Sequence, residues 1–447
     1  DNDMDEDFLS NGHLWENDGV GGFTDITVEA GLEGVGGETV WGDYDNDGWR
    51  DIVSISGQTR LFHNLGDGSF EEVTETAGLD TLANNQGVAW VDFDGDAFLD
   101  LYIASYGTAE DSEVPERDYL FHSNGDGTFT DVTEAMGIPL DKKHYHGRGV
   151  CVADYDEDGD PDIYVANYRL DPNFLWQNQG GMAGFLERAY ASGVQGYYSL
   201  GSYGHGIGPA FGDLDGDGLF DLLVPNLAHP RFFDFSDPTT VYINQGDGTF
   251  EGFLPPTRGI IYDETHSGAT LFDFDGDGDL DAFLTSIYVG RRSQLYENDG
   301  TAQFTDVTYE AGIEHFNGWG SAAGDIDGDG DLDLVAHRLF ENQSPAGKVL
   351  QVKLYGGATP EQFAGLSNRD AIGAVARVTF DGKTLVRQVE GGKGVGCQNS
   401  SVLHFGVGNF DGTVTLDVTW PSGKTTHVEQ VETGQLLELA EPLESEL

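Results

Sequence analysis

The chain has 447 residues, 79 acidic against 21 basic side chains, a formal net charge of −58, and 65 glycines. Its 38% hydrophobic and 12% aromatic content belongs to a folded protein and excludes an acidic disordered segment. Such a charge disfavours nucleic acid and anionic membranes as partners, and no apolar run approaches the roughly 20 residues of a membrane-spanning helix.

In chain order, the first feature is the acidic run Asp1-Asn2-Asp3-Met4-Asp5-Glu6-Asp7, which acquires meaning from the repeats downstream. There the pattern Asp-x-Asp-x-Asp-(Gly)-x-x-Asp recurs six times, at spacings of 49 to 62 residues. Its carboxylates are Asp43, Asp45, Asp47 and Asp51; Asp92, Asp94, Asp96 and Asp100; Asp154, Asp156, Asp158 and Asp162; Asp213, Asp215, Asp217 and Asp221; Asp273, Asp275, Asp277 and Asp281; and Asp325, Asp327, Asp329 and Asp333. Four bare carboxylates within nine residues repel one another. Around one hard cation they become ligands, positions one, three, five and nine giving carboxylates and position seven a backbone carbonyl. Calcium, which takes six to eight oxygens in flexible geometry, is the expected ion. The glycine at position six permits the turn, and Ala97 replaces it in the second loop. An EF-hand is disfavoured because it needs a Glu at position twelve and flanking helices, whereas these loops sit between strand-like runs. Asp1, Asp3 and Asp7 align with positions three, five and nine of a seventh copy, with Met4 in the glycine place. The expectation is a sequence that begins inside a repeat, with a strand and any signal peptide upstream.

A second motif keeps the same rhythm: Leu-aromatic-x-Asn, a Gly-rich turn, then Phe-x-Asp/Glu-Val-Thr in the fuller copies. It begins at Leu14, Leu61, Leu120, Leu175, Val241, Leu295 and Leu339. Such turns between strand-prone runs are hairpin signals. Seven units that are nearly all strand predict an all-β chain: a seven-bladed β-propeller with calcium loops over 1–345, its first blade incomplete at the N-terminal side. Each unit would run inner strand, calcium loop, second strand, third strand, hairpin, outer strand, with the last unit lacking its outer strand.

After Gln343-Ser344-Pro345-Ala346-Gly347 the Asp loops stop and most of the lysines appear. Alternating runs at 349–355, 374–380, 384–389, 401–405, 414–420 and 425–431 predict a small antiparallel β-sandwich over 348–441, followed by an acidic tail at 442–447. Cys151 and Cys397 fall in different predicted domains and read as structural or free.

The Asp repeats with their Asn-x-Gly-Asp-Gly-x-Phe hairpins resemble the FG-GAP/VCBS repeat family, whose propellers include the integrin alpha head. The C-terminal region carries Asn368-Arg369-Asp370-Ala371-Ile372-Gly373-Ala374, Gly391-Gly392-Lys393-Gly394, Phe405-Gly406-Val407-Gly408 and Trp420-Pro421-Ser422-Gly423, and is similar to the ASPIC/UnbV domain. The combination resembles the cartilage acidic protein family. That resemblance implies secretion or surface display, adhesion and ligand binding.

Topology places the calcium loops on one face of the ring and the segments entering the inner strands, with the turns between second and third strands, on the other. This opposite face gathers His146, Arg148, Arg169, His205, Arg231, His266, Arg291, Arg292, Trp319 and Arg338. With Lys142 and Lys143 it holds eight of the thirteen cations of the propeller region. Arg forks match carboxylate, sulfate or phosphate, and His146, His205 and His266, near-equivalent in three successive units, suggest a transition-metal site. The bland alternative is that the His cap strand ends and the Arg pair with surplus carboxylates. Six divalent ions would bring the charge only to −46. The leading expectation is a secreted calcium-binding propeller acting as an adhesion or ligand-binding module for a protein or glycan, anionic ones included. The alternatives are a metal-dependent enzyme acting on an anionic substrate at the channel mouth and a structural subunit of an extracellular assembly. No hydrolase nucleophile elbow, phosphate loop or His-Glu-x-x-His motif supports the enzyme.

Overall fold

The computed structural model describes residues 5–19, 22–79, 84–106, 117–140, 146–199, 201–227, 237–344 and 347–443. Among the described residues through 340, the chain forms seven antiparallel sheets in sequence order, five of four strands and two, the first and last, of three. In the complete sheets the strands lie in chain order from inner to outer, and each Asp loop joins the inner strand to the second, as between Asn85–Val91 and Asp100–Ser105. The expected order within each unit is therefore observed. The first sheet, Phe8–Ser10, His13–Asn17 and Phe23–Asp25, has no innermost strand among the described residues; the seventh, Ala322–Gly324, Asp333–Val335 and Leu339–Phe340, has no outer one.

Burial explains the composition of each strand position. Second strands such as Asp100–Ser105 are buried at every residue because both faces pack on neighbouring sheets. Outer strands such as Phe129–Asp131 bury only their leading Phe. The motif threonines tie the outer edge back: Thr27, Thr74, Thr133 and Thr308 accept the backbone N–H of Leu14, Leu61, Leu120 and Leu295 at 2.9–3.0 Å. Where inner strands converge on the axis, glycines face one another. A Cβ on Gly87 would meet Gly149, one on Gly208 would meet Gly268, and one on Gly268 would meet Gly320. Only residues without a side chain allow this approach.

One side-chain bond repeats between sheets. The third-strand Asn of a sheet donates to the carbonyl of the second residue in the preceding Asp loop: Asn178 to Phe93, Asn244 to Tyr155, Asn298 to Leu214 and Asn342 to Phe274, at 2.7–2.8 Å. Asn17 of the first sheet makes the same bond to Ile326 of the seventh, at 2.7 Å, and so closes the ring. Asn17→Ala leaves that carbonyl unpaired in a buried setting and should cost about 1–3 kcal/mol, read as a shifted denaturant midpoint with unchanged slope. A neutral substitution would show that the closing bond contributes nothing.

The C-terminal region has two sheets. One orders Lys383–Gln388, Val375–Phe380, Val414–Thr419 and Thr425–Val431; the other flanks Val349–Tyr355 with Val402–Gly406 and Gln435–Ala440. The purely antiparallel expectation needs correction, since Gln435–Ala440 pairs parallel with Val349–Tyr355. Sequence reading also missed that strand, whose residues are mostly exposed. The two cysteines are unpaired.

This region does not hang off the propeller. Its apolar core is continuous with sheets two and three, joining Val40, Trp90 and Leu101 to Ile372, Ala374 and Trp420. Its segment 391–400 enters the ring. Trp90, Val150 and Thr39 donate backbone N–H groups to the carbonyls of Gly391, Gly394 and Gly396 at 2.9–3.0 Å, and Ser400 donates to Ala323 at 2.9 Å. The hairpin is locked by Lys393 and Cys397, which exchange backbone bonds of 2.7 and 3.0 Å. Val395, near its tip, packs with Ile207, Leu227 and Ile287. The central channel is plugged.

Candidate functional site

The Asp loops share one local geometry. In the second loop Asp92 Oδ1 accepts the N–H of Gly95 and Asp96, and Oδ2 that of Ala97, at 2.9–3.1 Å. Asp43, Asp154, Asp213, Asp273 and Asp325 each accept the N–H of the residue five places on, curling the loop around the first carboxylate. Ala97 stands at φ +77°, a left-handed conformation that favours glycine. The ninth-position Asp accepts the N–H of the third-strand Asn or Ser at 2.7–2.8 Å in all six loops. Asp7 accepts Asn17 N–H at 2.8 Å in the same way, so it sits at the ninth position of a seventh loop. Asp1 and Asp3 lie outside the described residues.

These carboxyls raise one another. Burial, then the charges of Asp370 and Asp51, pushes Asp43 up to about 9, and burial pushes Asp221 to about 8 and Asp51 and Asp100 to about 7. The third-position carboxylates Asp94, Asp156 and Asp215 each bury Oδ1 without a hydrogen-bond partner. Groups of three carboxylate donors lie within 4.8 Å of one another, among them Asp43, Asp45 and Asp47, and Asp92, Asp94 and Asp96. Buried orphan oxygens among mutually repelling acids suit a hard divalent cation.

Sequence reading overlooked two histidines at the loops. His63 and His122 occupy the variable place in Leu-aromatic-x-Asn. Each sets Nδ1 3.1 Å from the ninth-position Asp, Asp51 or Asp100, and 3.6 Å from the third-position Asp, Asp45 or Asp94. The bond to Asp51 or Asp100 pushes each imidazole up to about 9. The signal was present in the motif, but strand alternation had to be turned into a direction before it could be read.

The C-terminal region seats on this loop face. Asp43 N–H donates to Asp370, which pairs with Arg50 at 2.9 Å. Gly406 N–H donates to Asp273 Oδ2 at 3.1 Å and Gln351 donates to Asp325 Oδ2 at 2.6 Å. Arg387 reaches the Gly278 carbonyl and His404 the Gly330 carbonyl. Lys383 pairs with Asp279 and Arg377 with Glu157. Of the cations in the tail, Arg377, Lys383 and Arg387 are thus partners of the loops.

On the opposite face the candidates divide. Arg148 lies over three rings, Trp319 at 4.7 Å, Tyr106 at 4.8 Å and Tyr168 at 5.3 Å, and its buried Nε has no hydrogen-bond partner. Arg169 lies 4.7 Å over Tyr106 and bonds its hydroxyl and His146 Nε2. His146 Nδ1 pairs with Asp171 at 2.7 Å, and His205 meets the Tyr168 ring edge-on. Val395 of the plug packs beneath, against the partly buried Tyr168. Residues from the third, fourth, fifth and seventh units therefore meet at one channel mouth.

The other candidates do not join them. Arg292 donates to the Ile313 and Thr308 carbonyls and lies on Tyr309; Arg338 donates to the Glu314 carbonyl and lies on Phe340; Arg291 pairs with Glu264. These three fasten their own edges and form no anion cradle. The three-histidine metal site is also corrected. His266 is fully buried with Nδ1 on Thr239 at 2.7 Å and Nε2 on Gln294 at 3.0 Å, so it has no nitrogen left for a metal. Arg231, Lys142 and Lys143 lie outside the described residues. A cavity of about 1040 Å³ runs beside Phe8–Ser10 and is lined also by Trp319 of the mouth and Val395 of the plug.

An FG-GAP-like repeat model matches residues 43–103, 106–165, 154–224 and 273–336, and an ASPIC and UnbV model matches 365–446. Cartilage acidic protein 1 of Xenopus tropicalis is 28% identical over 438 residues, covering 93% of this chain and 64% of that protein. The Mus musculus protein of that name is 28% identical over 428 residues, covering 89% and 59%. The chain therefore spans about three fifths of these relatives. Among solved structures, an Agrocybe aegerita lectin that recognises non-reducing terminal N-acetylglucosamine aligns at 20% identity and TM-score 0.41, over 68% of this chain and 76% of its own. No helix among the described residues is long and apolar enough to cross a membrane.

Proposed function

This chain belongs to the FG-GAP-like repeat family and carries an ASPIC and UnbV domain, and from that premise we propose that it works outside the cell as a calcium-stabilised ligand-binding module. Calcium fits the Asp loops by donor chemistry and number, and only extracellular calcium, near 1 mM, fills sites of weak affinity. The ligand is assigned to the channel mouth, and the loop face to the C-terminal domain. The observation that carries it is Arg148, held among Tyr106, Tyr168 and Trp319 with an unpartnered Nε. Trp319 is 40% exposed, enough to offer a ring face to a sugar, while Arg148 and Arg169 offer charge to a carboxylate.

The net charge of −58 limits the ligand's size. A long polyanion would meet the acidic surface, whereas a short glycan end with one carboxylate meets chiefly the two arginines. Added salt should therefore strengthen binding of a singly acidic sugar or leave it unchanged, because screening removes repulsion beyond about 10 Å at 0.1 M. The test is calorimetric titration with neutral and uronic-acid-terminated oligosaccharides in calcium. The acidic series should bind, and Arg148→Ala should weaken binding at least about tenfold, the loss of one charge-assisted contact, with an unchanged melting temperature. Equal binding by wild type and Arg148→Ala, or binding by neither, would reject this site.

A further inference from the structure

Resting on the reading of the Asp loops as metal sites, we infer that the loops of the second and third sheets are mixed-donor centres, taking a borderline divalent metal of the zinc class through His63 and His122 while the other loops take calcium. The position that faces each loop from the third strand is where the sheets differ. It is His63 and His122 in sheets two and three, Gln177 in sheet four, Ile243 in sheet five, and Glu297 and Glu341 in sheets six and seven. Gln177 donates to the third-position Asp156, which demonstrates that this side chain reaches its loop. A Glu there adds oxygen and suits calcium; an Ile adds nothing; a His adds a nitrogen, which hard calcium avoids and zinc-class ions accept.

The geometry is repeated and compact. In each of the two loops a His nitrogen and one oxygen from each of two Asp, Asp45 with Asp51 or Asp94 with Asp100, lie within 4.8 Å of one another. The His-to-Asp separations of 3.1 and 3.6 Å bracket the roughly 3.4 Å between donors of a tetrahedral ion held at about 2.1 Å. An independent observation points the same way. The Asp94 side chain is only 8% exposed: its Oδ2 lies 3.6 Å from His122 Nδ1, and its Oδ1 is buried with no hydrogen-bond partner. Asp94 also belongs to the Asp92–Asp94–Asp96 group. Binding replaces the proton on His122 Nδ1, which leaves to solvent, and the same holds for His63.

The test is a metal count with the full chain. Protein stripped with chelator is equilibrated in about 1 mM calcium, the extracellular level, with zinc at roughly a fiftieth of that, desalted and analysed for both elements. About two zinc per chain are expected, falling by one in His63→Asn, by one in His122→Asn and by two in the double variant, with calcium in the remaining loops unchanged. Gln177→Ala is the control and should leave zinc unaltered. Cobalt in place of zinc should give visible d–d absorption that the double variant loses, a readout that exposed adventitious histidines such as His13 and His427 would not share. No zinc above calcium, or zinc that survives the double variant, would overturn the inference. A calcium count of zero in the same samples would instead overturn the calcium reading, so the two failures are distinguishable.

Discussion

Excess chelator at pH 7.5 should lower the melting temperature by at least about 10 °C, given that each kcal/mol moves a domain of this scale by a few degrees. Stripping leaves the buried carboxyls of each loop facing one another, and it also loosens the seat of the C-terminal domain, because Gly406 and Gln351 bond directly to Asp273 and Asp325. The pH dependence comes from the direction of the shifts. Asp43, Asp221, Asp51 and Asp100 stand at about 9, 8, 7 and 7, above the ordinary 3.8. A carboxyl raised in the fold favours the folded state fully below the unfolded value and loses that contribution as pH climbs through the folded one. Chelated protein should therefore melt lower at pH 8.5 than at pH 5.5. In calcium the order should weaken or reverse, since protons compete with the ion. A melting temperature indifferent to chelator at both pH values would dismiss calcium as a structural ion.

The second large effect concerns the plug. Trp90 N–H donates to Gly391 at 2.9 Å, and a Cβ at Gly391 would be driven into the Trp90 carbonyl. Gly391→Val should cost about 3 kcal/mol, the upper part of the usual overpacking range, and should act on the whole chain. The reason is the shared core: Val40 and Trp90 of the propeller are packed in one cluster with Ile372 and Trp420. Scanning calorimetry should give a single transition for the wild type and a single, lower one for the variant. Two separate transitions, with the propeller unmoved, would make the C-terminal domain an independent appendage. The plug also bears on binding, because Val395 packs against the aromatic floor of the mouth. Gly391→Val should therefore weaken oligosaccharide binding even at temperatures where the protein stays folded.

Much of this molecule was readable from local pattern. Asp-rich loops, hairpin turns and strand alternation act over a few residues, so their repetition revealed the unit and its strand order. The ninth position of the opening copy was legible too, since Asp7 takes the same bond from Asn17 that each later ninth-position Asp takes from its own third strand. Contacts across the ring were beyond that reach. Gly391 and Trp90 are about 300 residues apart in sequence, and nothing in either segment announces the other. The parallel pairing of Gln435–Ala440 with Val349–Tyr355 was hidden for the same reason. So was the fate of the candidate cations: topology sent Arg148, Arg169, Arg291, Arg292 and Arg338 to one face, but side-chain direction split them into two at the mouth and three fastening edges. The sequence by itself determined the repeat, its loops and the two kinds of sheet, because those depend on near neighbours along the chain. Only the tertiary structure decided that the C-terminal domain closes the loop face and fills the channel, and that His63 and His122 join the carboxylates, because those depend on which surfaces the closed ring brings together.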